Sequence, residues 1–210
     1  MTGRPPVAGL LLAAGAGRRY GRPKALVEYA GTRLVDRAVS TLRAGGTEPI
    51  VVVLGAAASE VRAVAGQLSG TTVVENPDWP TGMGSSLRVG LAALAGSDAV
   101  AALVLLVDLP GVTAAAVRRV AALAAPDALA MAGYGDRRGH PVLLGRDHWP
   151  GVVELAVGDT GARPYLRAHA GRVQVVRCDD VADDRDLDTP ADADLPAPPA
   201  DREPPAPDWP

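Results

Sequence analysis

Short apolar runs alternate with amphipathic segments along most of this chain. Residues 7–12 form a continuous apolar run that predicts a buried strand, and residues 34–43 carry apolar positions at helical spacing. Strand and helix then alternate, which predicts a βαβ progression with right-handed crossovers. Further strands are predicted at Ile50–Leu54, Thr72–Glu75, 100–107, 129–132, 141–144 and 173–177, and further helices at 59–68, 85–94, 114–124 and Arg163–Ala168.

This alternation predicts an α/β fold, a three-layer Rossmann-like architecture with a mostly parallel sheet and helices on both faces. The pattern loosens after residue 144, so strands of mixed direction are expected there, followed by a short terminal segment at 190–195. We expect one domain over residues 1–195. Residues 196–210 are mostly Pro, Ala, Asp and Glu, a composition that predicts a disordered tail.

Composition narrows the class of ligand. The 210 residues are 48% hydrophobic and contain no Phe, so Ala, Val and Leu must pack the core. The net charge of −3 argues against a nucleic-acid-binding surface, and no apolar run reaches the length of a membrane span, so we expect a small ligand, no membrane and a cytoplasmic location. A single cysteine, Cys178, excludes an intramolecular disulfide.

The end of the first strand predicts a phosphate-binding loop. Gly15 and Gly17 let backbone amides approach phosphate oxygens, and Arg18, Arg19 and Lys24 add positive charge. The glycine spacing is one residue too long for the dinucleotide fingerprint, and the Gly-Lys-Ser/Thr ending of a P-loop is absent. A plain tight turn with basic residues for solubility is the alternative interpretation.

The same loop carries a family resemblance. The segment Leu-Ala-Ala-Gly-Ala-Gly-Arg-Arg at residues 12–19, followed by Gly-Arg-Pro-Lys, resembles the GT-A-like (MobA-like) nucleotidyltransferases, particularly the molybdenum cofactor cytidylyltransferases. The resemblance extends from residue 7 to about 195 and implies a GT-A-like fold. It implies catalytic roles for Lys24 and Arg19. It also implies nucleotide binding by Leu12, Ala13, Ala14, Gly15, Gly17 and Lys24.

Asp108 is the first candidate for a metal ligand and catalytic carboxylate. It follows an apolar strand and precedes Leu-Pro-Gly. Ligands of open α/β sheets bind beyond the carboxyl ends of the strands, so Asp108 and the first loop should face the same space. Mg²⁺ commonly takes one or two carboxylates together with phosphate oxygens, so we predict Mg²⁺ as the cofactor. The initiation of a turn is the alternative role for Asp108.

A second carboxylate comes from the segment Asp-Leu-Asp-Thr-Pro at residues 186–190, which resembles the segment that supplies a second metal ligand in this family. The resemblance implies Asp188 as that ligand, with Asp186 in reserve. Alternatively, Asp188 caps a helix that starts at the Thr-Pro pair. The acidic run at 179–185 is expected to be a solvated surface loop without a role in metal binding.

The segment Asn-Pro-Asp-Trp-Pro-Thr-Gly-Met-Gly-Ser-Ser at 76–86 leads into a predicted helix, whose start can bind anions. It resembles the cytidylyltransferases closely, whereas guanylyltransferase relatives usually carry a Pro-Leu-Ala-Gly-like segment here and Leu-Ala-Gly-Gly in the first loop. CTP is therefore preferred over GTP. The implied nucleotide-binding residues are Asn76, Gly82, Gly84, Ser85 and Ser86, although a plain capping role for either serine is an alternative.

Two later loops resemble the cytidylyltransferase patterns Gly-His-Pro and Gly-Asp-x-Gly-Ala-Arg, at residues 139–141 and 158–163. They are expected to face the acceptor, and an arginine there suits a terminal phosphate through bidentate hydrogen bonds. The implied acceptor-binding residues are His140, Asp159, Gly161 and Arg163. His140 could equally be a packed histidine at a strand entry, so no general-base role is assigned to it.

Together, the resemblance implies transfer of CMP from CTP to the phosphate of molybdenum cofactor, with release of pyrophosphate. A molybdenum hydroxylase apoenzyme or its chaperone would be a protein partner. Guanylyl or sugar-phosphate transfer is the alternative within enzymes, and a non-catalytic molybdenum cofactor carrier is the alternative outside them. The presence of Lys24 and Asp108 argues against the carrier. A Rossmann dehydrogenase fits worse, because Ile50–Leu54 is followed by Gly-Ala-Ala rather than a ribose-binding acid.

Overall fold

Nine strands and six α-helices follow one another along residues 5–194, the part of the chain that this computed structural model describes. The strands are β1 (Val7–Ala13), β2 (Glu28–Tyr29), β3 (Thr32–Arg33), β4 (Ile50–Leu54), β5 (Thr72–Glu75), β6 (Ala101–Leu106), β7 (Leu129–Tyr134), β8 (Arg137–Gly145) and β9 (Gln174–Arg177). The helices are α1 (Leu34–Ala44), α2 (Ala58–Val64), α3 (Met83–Leu94), α4 (Ala114–Ala121), α5 (Trp149–Leu155) and α6 (Arg163–Ala168).

Seven of these strands form one sheet in the order β5-β4-β1-β6-β8-β7-β9. The first four strands in this order, β5, β4, β1 and β6, pair in parallel with their neighbours. Strand β8 pairs antiparallel with both β6 and β7, and β9 pairs parallel with β7. The mixed strand directions expected in the later part of the chain are therefore due to one antiparallel strand, β8. The predicted α/β fold with a mostly parallel sheet is confirmed.

The central strand β1 divides its side chains between two cores. All seven of its residues are buried, because a parallel central strand is covered on both faces. Leu11 packs into a core that includes residues of α1, α2 and α4, whereas Leu10 packs into a second core that includes residues of α3, α5 and α6. Helices thus cover both faces of the sheet, in three layers.

Several element boundaries differ from the sequence prediction. Helix α2 ends at Val64 instead of residue 68, because Ala65 already has an extended backbone and Gly66 follows it. Helix α4 ends at Ala121 and α3 begins two residues early, at Met83. Sequence reasoning missed the short β2–β3 hairpin and also α5. Helix α5 carries Pro150 in its first turn, where proline is compatible with a helix.

The segment 178–188 is tied to the ends of the strands rather than being a free surface loop. The Cys178 amide donates to Gly133 O, the Asp183 amide to Gly111 O, and the Leu187 amide to Asp108 O, at 2.9, 3.0 and 2.9 Å. The expectation of a solvated loop is wrong at Asp184, whose side chain is 9% exposed and pairs with Arg137. Backbone hydrogen bonds to distant loops, which leave no periodic signal in the sequence, explain the difference.

The predicted tail at 196–210, together with residues 1–4 and 195 of the predicted domain, lies outside the described residues. Among residues 5–194, no helix combines the length and the apolar character needed to cross a membrane.

The start of α3 lies directly against the loop that follows α5. A Cβ atom added at Gly84 would lie 2.5 Å from Ala156 O and 2.6 Å from Ala156 C, and these are backbone atoms that have little room to move. Gly84 therefore allows the two segments to approach more closely than any side chain would permit.

Replacement of Gly84 by Ala tests this contact, because the contact decides whether the free energy of unfolding rises or falls. Alanine in a helix without a clash would stabilise the protein by about 1 kcal/mol. The contact with Ala156 should reverse that sign, and we expect Gly84→Ala to lower the free energy of unfolding by about 1–3 kcal/mol in urea. Gly96→Ala is the control, since no atom lies within 4 Å of its added Cβ. Equal stability of both variants would contradict the close packing.

Candidate active site

A cavity of about 400 Å³ opens at the carboxyl ends of β1 and β6. The loop after β1, the segment before α3 and Asp108 surround it, which is the position expected for a ligand of an open α/β sheet. Of the residues predicted to bind the nucleotide or metal, this cavity is lined by Leu12, Ala14, Gly15, Gly17, Arg19, Lys24, Gly82, Ser86, Asp108 and Asp188.

A second cavity, of about 640 Å³, lies beside the first and contains the predicted acceptor-binding residues His140, Gly161 and Arg163 in its lining. The two cavities meet at a common wall. The residues that line both are Leu12, Arg19, Lys24, Met83, Leu106, Asp108 and Asp188. The charged side chains of this set therefore lie where a ligand in one cavity would contact a ligand in the other.

Lys24 joins the two predicted metal ligands at this junction. Its Nζ atom lies 2.7 Å from Asp108 Oδ2 and 2.5 Å from Asp188 Oδ1, and Arg19 Nη1 lies 2.9 Å from Asp188 Oδ2. Burial lowers the pKa of the Lys24 ammonium, but the carboxylates of Asp108 and Asp188 outweigh this effect, and the net pKa is raised. Lys24 is consequently charged throughout the physiological range.

The hydrogen bond from the Leu187 amide to Asp108 O holds the next residue, Asp188, at the junction of the two cavities. Leu187 itself is 2% exposed and anchors the segment in the core. Asp192 Oδ2 accepts from the Asp188 and Thr189 amides at 3.0 and 2.6 Å, and these bonds fix the backbone at Asp188. The Asp188 carboxylate itself pairs with Lys24 and Arg19.

Asp186, the reserve candidate, lines the second cavity. Its pKa is raised by burial and by the neighbouring carboxylates of Asp108 and Asp188. Asp188 differs from Asp186 in pairing directly with Lys24 and Arg19.

The donor set fits a hard divalent cation. Asp108 and Asp188 present carboxylate oxygens to one positive charge, and oxygen is the ligand that Mg²⁺ prefers. Within residues 5–194, no group of three or more His, Cys, Asp or Glu side chains is arranged to hold a metal ion. A Mg²⁺ ion held by this pair would therefore complete its coordination with water and phosphate oxygens, as is usual for this ion.

The loop after β1 closes on itself at two glycines. Gly17 has a φ of +60°, and its carbonyl accepts from the Gly21 amide at 2.9 Å. This left-handed conformation favours glycine, and a Cβ atom added at Gly17 would collide with the carbonyl oxygen of Arg22. Ala14 lines the first cavity, whereas Ala13 is a buried residue of β1 that is not among the lining residues of either described cavity.

The segment before α3 contains a buried polar network. Asn76 Nδ2 donates to Ser85 Oγ and Ser86 Oγ at 2.8 and 3.0 Å, and Asn76 is only 1% exposed. Of the residues predicted here, Gly82 and Ser86 line the first cavity, whereas Asn76, Gly84 and Ser85 do not. The latter three hold the segment in shape through hydrogen bonding and close packing.

Trp79 and Met83 line the first cavity and were not among the predicted site residues. The available signal was their position between the loop residues and the serines of the same motif.

Asp159 differs from the other predicted acceptor residues in its position. It lines the first cavity, and its Oδ1 atom accepts from the Met83 amide at 3.3 Å. His140 lines the second cavity, and burial lowers its pKa to about 4, with Arg163 acting in the same direction and Asp108 in the opposite one. The imidazole is therefore neutral near pH 7.

Removal of the Lys24 ammonium should leave two facing carboxylates. We expect Lys24→Met to lower the free energy of unfolding by about 2 kcal/mol without metal, because the charge-assisted hydrogen bonds are lost and the carboxylates repel one another. Mn²⁺, which shares the oxygen preference of Mg²⁺, should raise the melting temperature of this variant more than that of the parent.

Thermal unfolding with and without MnCl₂ measures both effects. Arg22→Met is the control, since it removes an exposed cation of the same loop. Equal responses of the Lys24 and Arg22 variants would contradict the bridging role of Lys24.

The lowered pKa of His140 predicts a pH dependence of stability. An unfolded histidine binds a proton below about pH 6.5, whereas folded His140 does so below about 4, so the unfolded state takes up more protons between these values. Stability should therefore fall as the pH is lowered through this window. His140→Gln should remove at most about 3 kcal/mol of that fall, measured by urea unfolding from pH 7 to 4. Parallel profiles of the two proteins would refute the assignment.

Comparison with known proteins identifies the family. The model of the MobA-like NTP transferase domain matches residues 9–173. The nicotine blue oxidoreductase of Paenarthrobacter nicotinovorans is 41% identical over 196 residues, covering 90% of this chain and 95% of that protein. A probable molybdenum cofactor guanylyltransferase of Opitutus terrae is 35% identical over 111 residues, which cover 52% of this chain and 51% of that protein.

Solved structures agree with this result. Rv0371c from Mycobacterium tuberculosis superposes with a TM-score of 0.75 at 33% identity, covering 91% of this chain and 96% of that one. The same protein has been solved in complex with manganese, with a TM-score of 0.72, 32% identity, and coverage of 89% and 95% of the two chains. From the matched domain and these relatives, we conclude that the chain belongs to the MobA-like NTP transferase family.

Proposed function

We propose that this protein transfers CMP from CTP to the phosphate of molybdenum cofactor and releases pyrophosphate. The observation that carries the proposal is the Lys24 bridge between Asp108 and Asp188, at the junction of two cavities. A nucleotide in the first cavity and an acceptor in the second would meet at these charges. A divalent metal ion is supported by the manganese complex of the Rv0371c relative, and we propose Mg²⁺ for this chain.

The chemistry requires little proton transfer. An acceptor phosphate oxygen forms a bond to the α-phosphorus, while the bond from that phosphorus to the bridging oxygen breaks and its electron pair leaves with pyrophosphate. Lys24 and Arg19 neutralise the negative charge that develops on the leaving group, and fixed positive groups of this kind are an effective source of catalysis. Orientation of the two substrates in adjoining cavities can lower the barrier by roughly 7–11 kcal/mol.

Asp108 and Asp188 are the residues that would hold Mg²⁺. When bound, the ion supplies Lewis-acid neutralisation of phosphoryl oxygens. Lys24 would supply positive charge to the phosphates beside that ion.

The second cavity favours an acceptor with a ring system and a phosphate. Its lining combines apolar side chains, against which a ring system could pack, with charged side chains that include Arg137, Asp184 and Asp186. The exposed Arg138 and Arg163 at this cavity suit a terminal phosphate. The apolar lining consists of Leu12, Met83, Leu87, Val104, Leu106, Leu109, Met131, Val142, Ala162 and Leu166.

The choice of CTP rests on the two motifs at residues 12–15 and 82–86, which resemble cytidylyltransferases. The similarity to a probable guanylyltransferase makes GTP the competing donor. Cytoplasmic location, and delivery of the product to a molybdenum hydroxylase apoenzyme or its chaperone, belong to the same proposal. The remaining alternative is a carrier that binds and delivers molybdenum cofactor without catalysing a reaction on it.

A second candidate function is redox chemistry, because the relative from Paenarthrobacter nicotinovorans is named nicotine blue oxidoreductase. Two features favour nucleotidyl transfer instead. Asp108 and Asp188 converge on the Lys24 ammonium, an arrangement that hydride transfer does not need, and β4 is followed by Gly55-Ala56-Ala57 without a ribose-binding acid. Reduction of nicotine blue by the purified protein, with NADH or NADPH supplied, would instead support the redox function.

Pyrophosphate release tests the main proposal. Purified protein with Mg²⁺ and molybdenum cofactor should release pyrophosphate with CTP in preference to ATP, GTP and UTP. Lys24→Ala and Asp108→Ala should each reduce turnover by a factor of at least about 100, since each removes a strong source of transition-state stabilisation. Circular dichroism checks that the fold is retained, and Arg22→Ala is the matched loop control.

The other outcomes are equally informative. Preference for GTP would move the protein to guanylyl transfer, and cofactor binding without pyrophosphate release would favour a carrier. Near wild-type turnover of either variant would overturn the assignment of Lys24 and Asp108.

A further inference from the structure

Trp79 is the only aromatic side chain among the described residues that line the first cavity. It is half-buried, and it belongs to the one-turn helix Trp79–Thr81 before α3. Trp149 provides a contrast, because it is 6% exposed and donates its Nε1 hydrogen to Leu144 O at 2.9 Å within the core. The exposure of Trp79 towards a cavity therefore distinguishes it from a packing residue.

Trp79 is held beside the phosphate-binding loop by a glycine. A Cβ atom added at Gly55, directly after β4, would lie 2.6 Å from both Cβ and Cγ of Trp79 and 2.8 Å from Ala14 O. The absence of a side chain at Gly55 thus allows the indole to lie against the backbone, next to the loop that follows β1. Any larger residue at position 55 would displace Trp79 or the loop.

The turn that carries Trp79 is also fixed from within. The Trp79 amide donates to Asn76 O at 3.3 Å, and the Gly82 amide donates to Trp79 O at 3.1 Å. Asn76 is held in turn by Ser85 and Ser86. A side chain on such a constrained turn loses little further freedom when a ligand binds, which favours affinity.

We propose that Trp79 stacks on the nucleobase of the donor nucleotide, an inference that rests on the proposed nucleotide site. Stacking on an aromatic side chain tolerates every base, because each base has a π face. Trp79 therefore supplies affinity for nucleotides in general. Discrimination between cytosine and guanine comes from other groups of the cavity, such as Ser86 and the backbone of the loop after β1.

Calorimetric titration with CTP, GTP and inorganic tripolyphosphate, in the presence of Mg²⁺, separates these contributions. Trp79→Leu should weaken binding of CTP and GTP by a common factor of about 5 to 150 and leave tripolyphosphate binding unchanged. Trp79→Phe is the matched control, since its ring should restore most of the lost affinity. Tryptophan fluorescence provides a second test, in a protein that carries Trp209→Phe. Addition of CTP should change this fluorescence, and a further Trp79→Phe substitution should abolish the change.

The outcomes distinguish this inference from the proposed function. Unchanged CTP affinity of Trp79→Leu would overturn the stacking and leave the nucleotide site intact. An equal loss of tripolyphosphate binding would also overturn it, because Trp79 would then act by shaping the loop. Failure of the unmodified protein to bind any nucleoside triphosphate would instead overturn the proposed function, and the stacking with it.

Discussion

The contact between one ammonium and two carboxylates is the constraint on which the site depends. Lys24 follows the first strand, Asp108 follows the strand paired beside it, and Asp188 lies 164 residues after Lys24. The segment around Leu187 crosses the ends of the strands, and this path brings the Asp188 carboxylate to the Lys24 ammonium. Half-buried carboxylates without a cation would repel one another, so this site requires a positive charge at its centre, from Lys24 or from a metal ion.

Close backbone packing links the two cavities into one unit. Gly84 lets the loop after α5 lie against the start of α3, and Asp159 accepts a hydrogen bond from the Met83 amide. Met83 lines both cavities, so the position of the loop on the acceptor side affects the wall on the nucleotide side. The buried Asn76 network stabilises the same wall from beneath.

Relatives of this chain carry names from different classes of chemistry. One relative is named a probable guanylyltransferase and another an oxidoreductase, which agrees with the general rule that function belongs to the site rather than to the fold. The features that favour nucleotidyl transfer here are therefore local. They are the glycine-rich loop, the carboxylates that converge on Lys24, and a second cavity whose lining combines apolar side chains with charged ones.

The sequence by itself determined the layered α/β fold and the loop after the first strand, because apolar periodicity and glycine-rich turns are local properties. It also indicated Asp108, which directly follows a strand. Only the tertiary structure brought Asp188 into contact with Lys24, buried Asn76 away from the cavity and brought Trp79 into its lining. These outcomes depend on contacts between segments far apart in the chain, and such contacts have no local signal in residue order.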